Sequence, residues 1–353
     1  MSDESCGTCS IDARQNLVVR ILIVSQYFWP ENFRINDLVH ALEARGHEVS
    51  VLTGQPNYPD GRIYPEFRAN PLNYSKWGNA QVYRVPVIPR GTGKAALILN
   101  YLSFCVMGCM VGPWKLRKVA FDTIFVFQTS PITAALPAIL LRALRRTPVL
   151  MWVLDLWPDT LTSLGVVKSR AILALVGRLV SFIYARCDRI LVQSGAFRCS
   201  IEQFAGSVAR MRYFPGWPEQ VFSGGTEKCA PAPELDQFGS KFIVLFAGNI
   251  GESQDFPAII DAAEALRDRD DIVFAIVGGG RAEAEMRARV RQRGLDHRLA
   301  FLGRYPLERM PSFFGAAHAL LVSLRDEGSY RFTIPGKVQS YLSAEKPILG
   351  MLN

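Results

Sequence analysis

Apolar runs that end in glycines, each followed by a helical pattern, recur between Phe242 and Leu324. The run FIVLFAGN precedes PAIIDAAEALRDR, and the run IVFAIVGGG precedes RAEAEMRARVRQRG. Short β-branched runs predict buried strands, and the 3.6-residue spacing of the segments between them predicts helices. Because glycines join each strand to a helix, unpaired amides and the positive end of a helix dipole meet at the carboxyl edge of the sheet. This edge is therefore predicted to bind an anionic ligand, and a phosphate group fits best.

The same alternation of strands and helices occurs earlier in the chain. Five apolar runs there predict strands that end in polar loops: VVRILIVSQYF, EVSVLTG, AFDTIFVFQTSP, TPVLMWVLDLWPD and DRILVQSGAF. Alternation of this kind predicts doubly wound α/β domains with parallel sheets. Glycine, proline and charged residues are concentrated in segment 223–240, which predicts a linker. We therefore expect a disordered tail at 1–16, a first Rossmann-like domain at 17–222 and a second at 241–353, facing each other across a cleft.

Basic residues are unevenly distributed along the chain, whose net charge is +8. Between Glu66 and Asp122 there are eight basic residues and no acidic one. This window contains the apolar run AALILNYLSFCVMGCMVGPW (95–114), which basic residues at 115, 117 and 118 follow directly. Polar residues interrupt the run, which disfavours a membrane span. Two interpretations stay open: segment 84–118 lies on an anionic membrane surface, or it forms a buried helix with a basic end.

Several common functions lack their sequence signatures. The first strand is followed by QYFWP instead of the glycines of a dinucleotide-binding loop, and no G-x-x-x-x-G-K-[ST] loop is present. The four histidines are isolated from one another, so no metal site is predicted. Basic residues alternate with aliphatic residues rather than with a stacking aromatic platform, which disfavours nucleic-acid binding. NAD chemistry and P-loop phosphoryl transfer are likewise disfavoured.

Five motifs resemble those of the family 4 retaining glycosyltransferases, which have the GT-B fold. They are SQYFWPE with the RIND that follows it, DLWPDTL (155–161), YFPGW (213–217), AGNIGE (247–252) and IPGKVQSYLSAEKPIL (334–349). They are similar to the bacterial subgroup of colanic-acid and O-antigen glycosyltransferases, including the L-fucosamine transferase type. The resemblance covers about residue 17 to the end. It implies two Rossmann-like domains, with the acceptor bound mostly by the first and a nucleotide-sugar donor mostly by the second.

The resemblance also bears on the carboxyl end of the chain. Family members normally continue with further strand–helix units and a closing helix, whereas this sequence ends at PILGMLN. We therefore expect a second domain that is truncated at its carboxyl terminus, with an exposed sheet edge.

The donor site implied by the resemblance needs no metal and no cofactor beyond the nucleotide-sugar substrate, expected to be a UDP-sugar, because fixed donors stabilise the departing diphosphate. Many members carry an arginine and a lysine where this chain has Asn249 and Gln254, and two glutamates where it has Phe332 and Ser340. Lys337 would then replace the lost cation, although a solvated lysine in a helix's first turn is the alternative. The implied donor-binding residues are Gly248, Asn249, Gly251, Gly279, Arg281, Arg304, Tyr305, Lys337, Gln339 and Ser340.

Candidate catalytic groups and acceptor contacts follow the same resemblance. The catalytic candidates are Asp155, Arg325, Glu327 and Lys337. Asp155 would orient an acceptor hydroxyl, and Arg325 and Glu327 either contact the sugar or form a solvated turn. The candidates for acceptor or diphosphate binding are Asn32, Arg34, Asn36 and Trp157. Arg34 suits an anion best, whereas Trp157 either stacks on a sugar or packs in a turn. No protein nucleophile is expected, since retention in this family is usually ascribed to front-face attack.

The expected function is metal-independent, retaining transfer of a sugar in bacterial exopolysaccharide, capsule or O-antigen biosynthesis. The donor would be a UDP-linked hexosamine or deoxyhexosamine, and the acceptor a polyprenyl-diphosphate-linked saccharide. The protein would be cytoplasmic and peripheral on the inner face of the cytoplasmic membrane. Two alternatives stay open. One is a nucleotide-sugar 2-epimerase of the same fold, which would need carboxylate and histidine acid–base groups in the cleft; the other is an inactive, truncated binding partner.

Overall fold

The structure is a computed structural model of the chain. It describes residues 17–91, 93–163, 167, 169–225, 229–326 and 332–352, apart from the side chains of Lys94 and Glu252. The predicted tail at 1–16 and the candidate catalytic residue Glu327 lie outside the described residues.

The first sheet has eight strands in the spatial order β3-β4-β2-β1-β5-β6-β7-β8. Their bounds are β1 Arg20–Val24, β2 Glu48–Gly54, β3 Lys76–Trp77, β4 Ala80–Val85, β5 Thr123–Gln128, β6 Val149–Val153, β7 Arg189–Val192 and β8 Met211–Tyr213. Strand β1 pairs in parallel with β2 and with β5, whereas the short β3 runs antiparallel to β4. Since β2 and β5 flank β1 on opposite sides, the chain reverses its winding direction there, as a doubly wound sheet requires.

The helices that accompany this sheet are α1 Arg34–Ala44, α2 Pro65–Ala69, α3 Lys94–Lys115, α4 Leu136–Arg145, α5 Asp159–Ser163, α6 Arg170–Ala185 and α7 Ala196–Ala205. The longest, α3, packs closely because glycines replace larger residues on its buried side. A β-carbon on Gly108 would lie 2.5 Å from Pro137, and one on Gly112 would lie 3.1 Å from Leu52. The apolar run at 95–114 is therefore a helix that packs on this sheet along one side.

The second sheet has five strands in the order β11-β10-β9-β12-β13. Their bounds are β9 Phe242–Asn249, β10 Ile272–Gly279, β11 Leu299–Gly303, β12 Ala319–Ser323 and β13 Ile348–Met351. The accompanying helices are α8 Phe256–Ala265, α9 Glu283–Gln292, α10 Met310–Ala316 and α11 Lys337–Leu342. All four strand pairs of this sheet are parallel. Because β10 and β12 lie on opposite sides of β9, the crevice at the carboxyl end of β9 is the expected ligand position of such a sheet.

Both faces of the second sheet are buried, which explains its near-continuous apolar strands. Leu245 and Ala247 of β9 belong to a core cluster that also contains Phe314 and Tyr341. Phe246, on the opposite face of the strand, belongs to a second cluster together with residues of α8 and α9. The prediction of two α/β architectures with parallel sheets is confirmed.

The chain divides into two compact units. One comprises Met1–Met151 with Arg186–Asp188, and the other comprises Trp152–Ala185 with Arg189–Asn353. Within the predicted linker 223–240, Ala232 and Leu235 are buried in the core of the second sheet, and Pro233–Phe238 is a 3-10 helix. The domain boundaries expected from the sequence stay a prediction.

Candidate functional site

Two glycine loops lie side by side at the carboxyl edge of the second sheet. Strands β9 and β10 stay in parallel register to their last residues, where Gly278 pairs with Gly248 and Gly279 pairs with Asn249. Gly278 has φ +137°, and a β-carbon on it would lie 1.9 Å from the carbonyl oxygen of Gly248. Only glycine can occupy this position, because any side chain would push the two strand ends apart.

The two loops are also joined beyond the strands. The amide of Ile250 donates to the carbonyl of Gly279 over 3.1 Å, and the amide of Ala282 donates to the carbonyl of Ile250 over the same distance. A β-carbon on Gly280 would lie 2.2 Å from the Ile250 carbonyl oxygen. These contacts hold the backbone of both loops in one fixed arrangement, which a pre-organised anion site needs.

The side chain of Lys337, from the start of α11, reaches these loops. Its Nζ atom donates to Oε1 of Gln254 over 2.6 Å and lies 3.7 Å from the centre of the Phe246 ring. A β-carbon on Gly248 would lie 3.2 Å from the same Nζ atom. The sequence-predicted residues Gly248 and Lys337 are thus neighbours, and the cation lies at the end of the central strand.

The surroundings of Lys337 disfavour its charge. Burial lowers the pKa of Lys337 to about 7. The Phe246 ring and the Gln254 amide oxygen offset only part of the lost hydration, since neither carries a negative charge. A bound dianion would restore the charged form. A lysine pKa lowered by burial is frequent at functional sites, so Lys337 stays a candidate for binding an anionic ligand.

The segment Ser253–Gln254 is bonded to strand β12 and to the residues after it, and the Ser323 hydroxyl donates to the Gln254 carbonyl over 2.5 Å. The amide of Arg325, which follows β12, donates to the carbonyl of Ser253 over 3.0 Å. Arg325 itself lines a small cavity together with Gly251, Pro257 and Arg289. The loops after β9 and β12 are thereby joined at the point where the sheet reverses direction. The candidate residues Lys337 and Arg325 approach this point from different segments of the chain.

The other predicted donor residues lie around the same edge. Asn249 is exposed and approaches Gly251, where a β-carbon would lie 2.6 Å from Nδ2 of Asn249. The exposed Arg304 lies against Gly279, where a β-carbon would be 2.4 Å from its Nε atom. Tyr305 packs on the core cluster of Leu245 and contacts Phe313, with ring centres 4.7 Å apart. The exposed Arg281 follows the second glycine loop directly.

Gln339 and Ser340 lie one helical turn further along α11. Gln339 is half-buried against Gly216, and Ser340 is buried, with 5% of its surface exposed. The Ser340 hydroxyl donates a hydrogen bond to the carboxylate of Glu219. The sequence analysis placed Ser340 among the donor-binding residues but did not identify Glu219, because the two residues are 121 positions apart.

The candidate residues of the first loop have different surroundings. Asn36 accepts from the Trp29 amide over 3.1 Å and donates to the Glu31 carbonyl over 2.8 Å, so its side chain holds the loop together. Asn32 is exposed, and Arg34 is half-buried. Asn32 lies in the loop between β1 and α1, whereas Arg34 and Asn36 lie in the first turn of α1, which begins at Arg34.

Glu31, in the same loop, was not identified from the sequence. It is buried, and its carboxylate accepts the amides of Phe28, Asn57 and Tyr58. Burial outweighs these hydrogen bonds and raises the pKa of Glu31 to about 7. Burial likewise lowers the pKa of the nearby Arg84 to about 10. Glu31 thus joins the loops after β1 and β2, a role that only the tertiary structure reveals.

Asp155, Trp157 and Asp159 follow strand β6. All three are half-buried, and burial raises the pKa of Asp159. Asp159 is the first residue of helix α5. The catalytic and acceptor-binding roles expected for Asp155 and Trp157 stay predictions.

Comparison with protein families identifies two matching domains. Residues 32–217 match the model described as "Glycosyl transferase 4-like domain", and residues 232–329 match the model described as "Glycosyl transferases group 1".

Two curated relatives are similar in sequence. The Escherichia coli (strain K12) protein described as "Putative colanic acid biosynthesis glycosyl transferase WcaI" is 25% identical over 347 residues, which cover 92% of this chain and 81% of that protein. The Pseudomonas aeruginosa protein described as "Probable glycosyltransferase WbjE" is 28% identical over 228 residues, which cover 61% of this chain and 55% of that protein.

Solved structures are similar in fold. Anabaena Alr3699/HepE in complex with UDP has a TM-score of 0.63 at 14% sequence identity, covering 94% of this chain and 80% of that one. WaaG, described as a glycosyltransferase involved in lipopolysaccharide biosynthesis, has a TM-score of 0.59 at 14% identity, with coverage of 94% and 80%. At this level of identity, the likeness concerns the fold alone.

Proposed function

Because the chain belongs to the glycosyl transferase 4-like family, and is thus a glycosyltransferase of the GT-B fold, we propose that it transfers a sugar from a nucleoside-diphosphate donor to a lipid-linked saccharide in bacterial polysaccharide synthesis. The proposed reaction retains the anomeric configuration and needs no metal ion, and the proposed donor is a UDP-linked hexosamine or deoxyhexosamine. The observation that carries the proposal is the position of the Lys337 ammonium beside the paired glycine loops.

The chemistry of the donor fits this position. Departure of the sugar leaves a diphosphate whose negative charge increases, and a fixed cation and backbone amides stabilise that charge without having to reorganise. Lys337 supplies the cation, and the loops at Gly248–Gly251 and Gly279–Gly280 present backbone close to it. We assign the diphosphate to this crevice. The backbone of Arg325 is bonded to Ser253 in the loop after β9, and we propose that its side chain contacts the transferred sugar.

The relatives support the choice of substrates. HepE was solved with UDP and with UDP-glucose, which favours a uridine nucleotide in this chain as well. The curated relative from Escherichia coli carries a name from colanic acid biosynthesis, which favours a saccharide acceptor in polysaccharide assembly. The acceptor in such assembly is built on a polyprenyl diphosphate, so the enzyme would work on the inner face of the cytoplasmic membrane.

Helix α3 supplies an apolar surface for that placement. Residues at four-residue intervals form its exposed stripe: Ile98, Leu102, Val106, Met110 and Trp114. The opposite side, which includes Asn100, Phe104 and Gly108, is buried. By length and composition alone, α3 is long and apolar enough to cross a membrane. Of its most apolar stretch, 22% is buried in the protein. Its buried side packs on the first sheet, which favours a helix that lies on the membrane surface.

Basic groups surround the carboxyl end of this stripe. The Arg117 guanidinium lies 4.5 Å from the centre of the Trp114 ring, and Lys118 is exposed beside it. Arg145 of α4 donates to the Leu116 carbonyl over 2.8 Å, which adds a further cation that the sequence window did not include. Cations beside an exposed tryptophan suit the headgroup region of anionic lipid.

Removing the three basic residues at the carboxyl end of α3 and directly after it should release the protein from anionic membranes. Each of Lys115, Arg117 and Lys118 contributes on the order of 1 kcal/mol when it meets anionic lipid. Changing all three to glutamine should therefore weaken binding to phosphatidylglycerol vesicles about 100-fold, and high salt should weaken parental binding in the same direction. Vesicle sedimentation at several lipid concentrations measures this.

A matched variant separates local contact from net charge. Changing the exposed Arg62, Arg68 and Lys76 to glutamine removes the same charge from the same unit, and this variant should bind like the parent. Equal vesicle binding by the Lys115, Arg117 and Lys118 variant and the parent would contradict membrane docking through α3.

A transfer assay tests the function itself. Membranes are incubated with the protein and with radiolabelled UDP- and GDP-sugars, and the lipid extract is counted. The proposal predicts label in the lipid fraction with one donor. Conversion of the donor to its C2 epimer without lipid labelling would indicate the epimerase, and binding without turnover of any donor would indicate an inactive partner.

A further inference from the structure

The segment that follows strand β8 brings a carboxylate to helix α11. Ser340 donates a hydrogen bond to Glu219, and the backbone at Gly216 is so close to Gln339 that a β-carbon there would lie 3.2 Å from its Nε2 atom. Contact therefore extends over several residues on both sides. No donor-site role follows for Glu219 from the sequence motifs, since YFPGW ends two residues before it.

Glu219 is fixed to the core of the second sheet. It precedes the 3-10 turn Gln220–Phe222, in which the Phe222 amide donates to the Glu219 carbonyl over 3.0 Å. The Phe222 ring is 3% exposed and stacks on Phe314, with centres 5.2 Å apart and an interplanar angle of 4°. Both rings belong to the cluster of Leu245. The carboxylate is thus held in place by a buried aromatic anchor three residues away.

Helix α11 is fixed to the end of the central strand. The Tyr341 hydroxyl accepts from the Ala247 amide over 2.8 Å and donates to the Ala247 carbonyl over 3.2 Å. Ser340 precedes Tyr341 and lies one turn after Lys337, which is about 5 Å along a helix axis. The residue that bonds to Glu219 and the residue that carries the cation beside the glycine loops therefore lie on successive turns of one helix.

A carboxylate in this position can bind only part of a nucleoside diphosphate. It repels the phosphates but accepts strong hydrogen bonds from neutral hydroxyls. The two oxygens of an ionised carboxylate can accept the two hydroxyls of a vicinal diol. In a nucleoside diphosphate, the ribose diol lies between the diphosphate and the base. Tyr305, an expected donor-binding residue, packs on the same core cluster as Tyr341, so both lie on one face of the sheet.

We propose that Glu219 binds the ribose hydroxyls of the donor nucleotide and that Ser340 positions its carboxylate. Glu219 thereby supplies, from a distant segment of the chain, a carboxylate that α11 itself lacks, since the helix sequence KVQSYL contains no acidic residue. This inference rests on the proposed function, because it requires a nucleoside diphosphate at the glycine loops.

Binding of nucleotides with and without ribose hydroxyls tests the proposal. Calorimetric titration of the full chain uses UDP, 2′-deoxy-UDP and 3′-deoxy-UDP, with the corresponding guanosine nucleotides in parallel. The parent should bind the deoxy nucleotides about tenfold more weakly than the ribonucleotide. Glu219→Gln should bind the ribonucleotide about tenfold more weakly than the parent and should discriminate little between ribo- and deoxynucleotide, because the same contact is already lost.

Two further variants complete the test. Ser340→Ala should lose part of the affinity and of the discrimination, as expected of a positioning residue. Glu264→Gln, at a half-buried glutamate on α8 that pairs with Arg267 and Arg293, should behave like the parent. Thermal unfolding checks that each variant is folded. If Glu219→Gln does not fold, Glu219→Asp replaces it. Aspartate keeps the charge, but its shorter side chain withdraws the oxygens. This variant must then show the same loss of discrimination between ribo- and deoxynucleotide.

The outcomes separate this inference from the proposed function. A parent that binds neither UDP nor GDP overturns both. A parent that binds and discriminates, with a Glu219→Gln variant that discriminates equally well, overturns the inference alone. A Glu219→Gln variant that binds the free nucleotide normally but the nucleotide-sugar weakly would also overturn it, because the carboxylate would then contact the transferred sugar.

Discussion

Replacing Lys337 by alanine should lower turnover of the nucleotide-sugar donor by at least about tenfold, which corresponds to about 1.4 kcal/mol in the activation barrier. The reason is the position of its ammonium, which lies beside Gly248 and donates to Gln254. Charge on the diphosphate increases as the sugar departs, so the loss should fall mainly on kcat. Lys337→Arg should recover only part of the activity, since the larger, planar guanidinium places its charge differently from the compact ammonium.

A second lysine in the same unit provides the control. Lys346 precedes strand β13 and lies outside the glycine loops, so Lys346→Ala should turn over the donor at the parental rate. Steady-state kinetics with the donor identified by the transfer assay measures all three variants. Parental turnover by Lys337→Ala would show that the lysine has no part in donor chemistry, and the assignment of the diphosphate to this crevice would be wrong.

The pH dependence of binding tests the same residue independently. Because the pKa of Lys337 is lowered to about 7, its ammonium is charged below that pH and neutral above it in the free protein. A diphosphate favours the charged form, so its affinity should fall as the pH rises from 7 to 9, by up to about tenfold per pH unit. Lys337→Arg remains charged over this range and should show a flatter profile. Identical profiles for parent and arginine variant would contradict the role of Lys337 as a titrating cation.

Replacing Gly278 by alanine should abolish donor turnover and lower the free energy of unfolding by at least about 2 kcal/mol. Its φ of +137° is strained for any residue with a side chain, and the added carbon would lie 1.9 Å from the Gly248 carbonyl oxygen. The strand ends must separate to relieve that overlap, and this displaces both glycine loops together. Thermal unfolding and donor turnover measure the two effects.

Gly294 distinguishes steric overlap from backbone strain. It also has a positive φ, +65°, but a β-carbon there would meet nothing within 4 Å. Gly294→Ala should therefore cost only about 1 kcal/mol and leave turnover unchanged. If Gly278→Ala behaves like Gly294→Ala in both measurements, the close approach of the two loops does not form the donor site.

The fold was predictable because its signals are local. Strands β9 and β10 are continuous β-branched runs that end in glycines, and the helices after them have a 3.6-residue spacing, so their order and their parallel pairing follow from the pattern. Helix α3 was predicted from its apolar composition. The buried side of α3 contains Gly108 and Gly112. Their role in close packing is evident only from their approach to Pro137 and Leu52 in the folded protein.

The site was predictable only where a motif carries its own chemistry. Gly248, Gly279 and Lys337 lie in recognisable motifs and do meet at one edge of the sheet. Glu219 and Glu31 were missed because their significance comes from partners far away in the sequence. Glu219 is paired with Ser340 across 121 residues, and Glu31 binds amides 26 and 27 residues away. Such pairings depend on the tertiary fold, which periodicity and local motifs do not encode.

The central claim is that a nucleoside diphosphate binds at the paired glycine loops of the second sheet, and a structure of the chain in complex with UDP tests it most directly. The account predicts the diphosphate beside the backbone of Gly248–Gly251 and Gly280, with a phosphate oxygen within about 3 Å of Lys337 Nζ. A well-ordered UDP whose phosphates lie elsewhere, with Lys337 still bonded to Gln254 alone, would contradict the account.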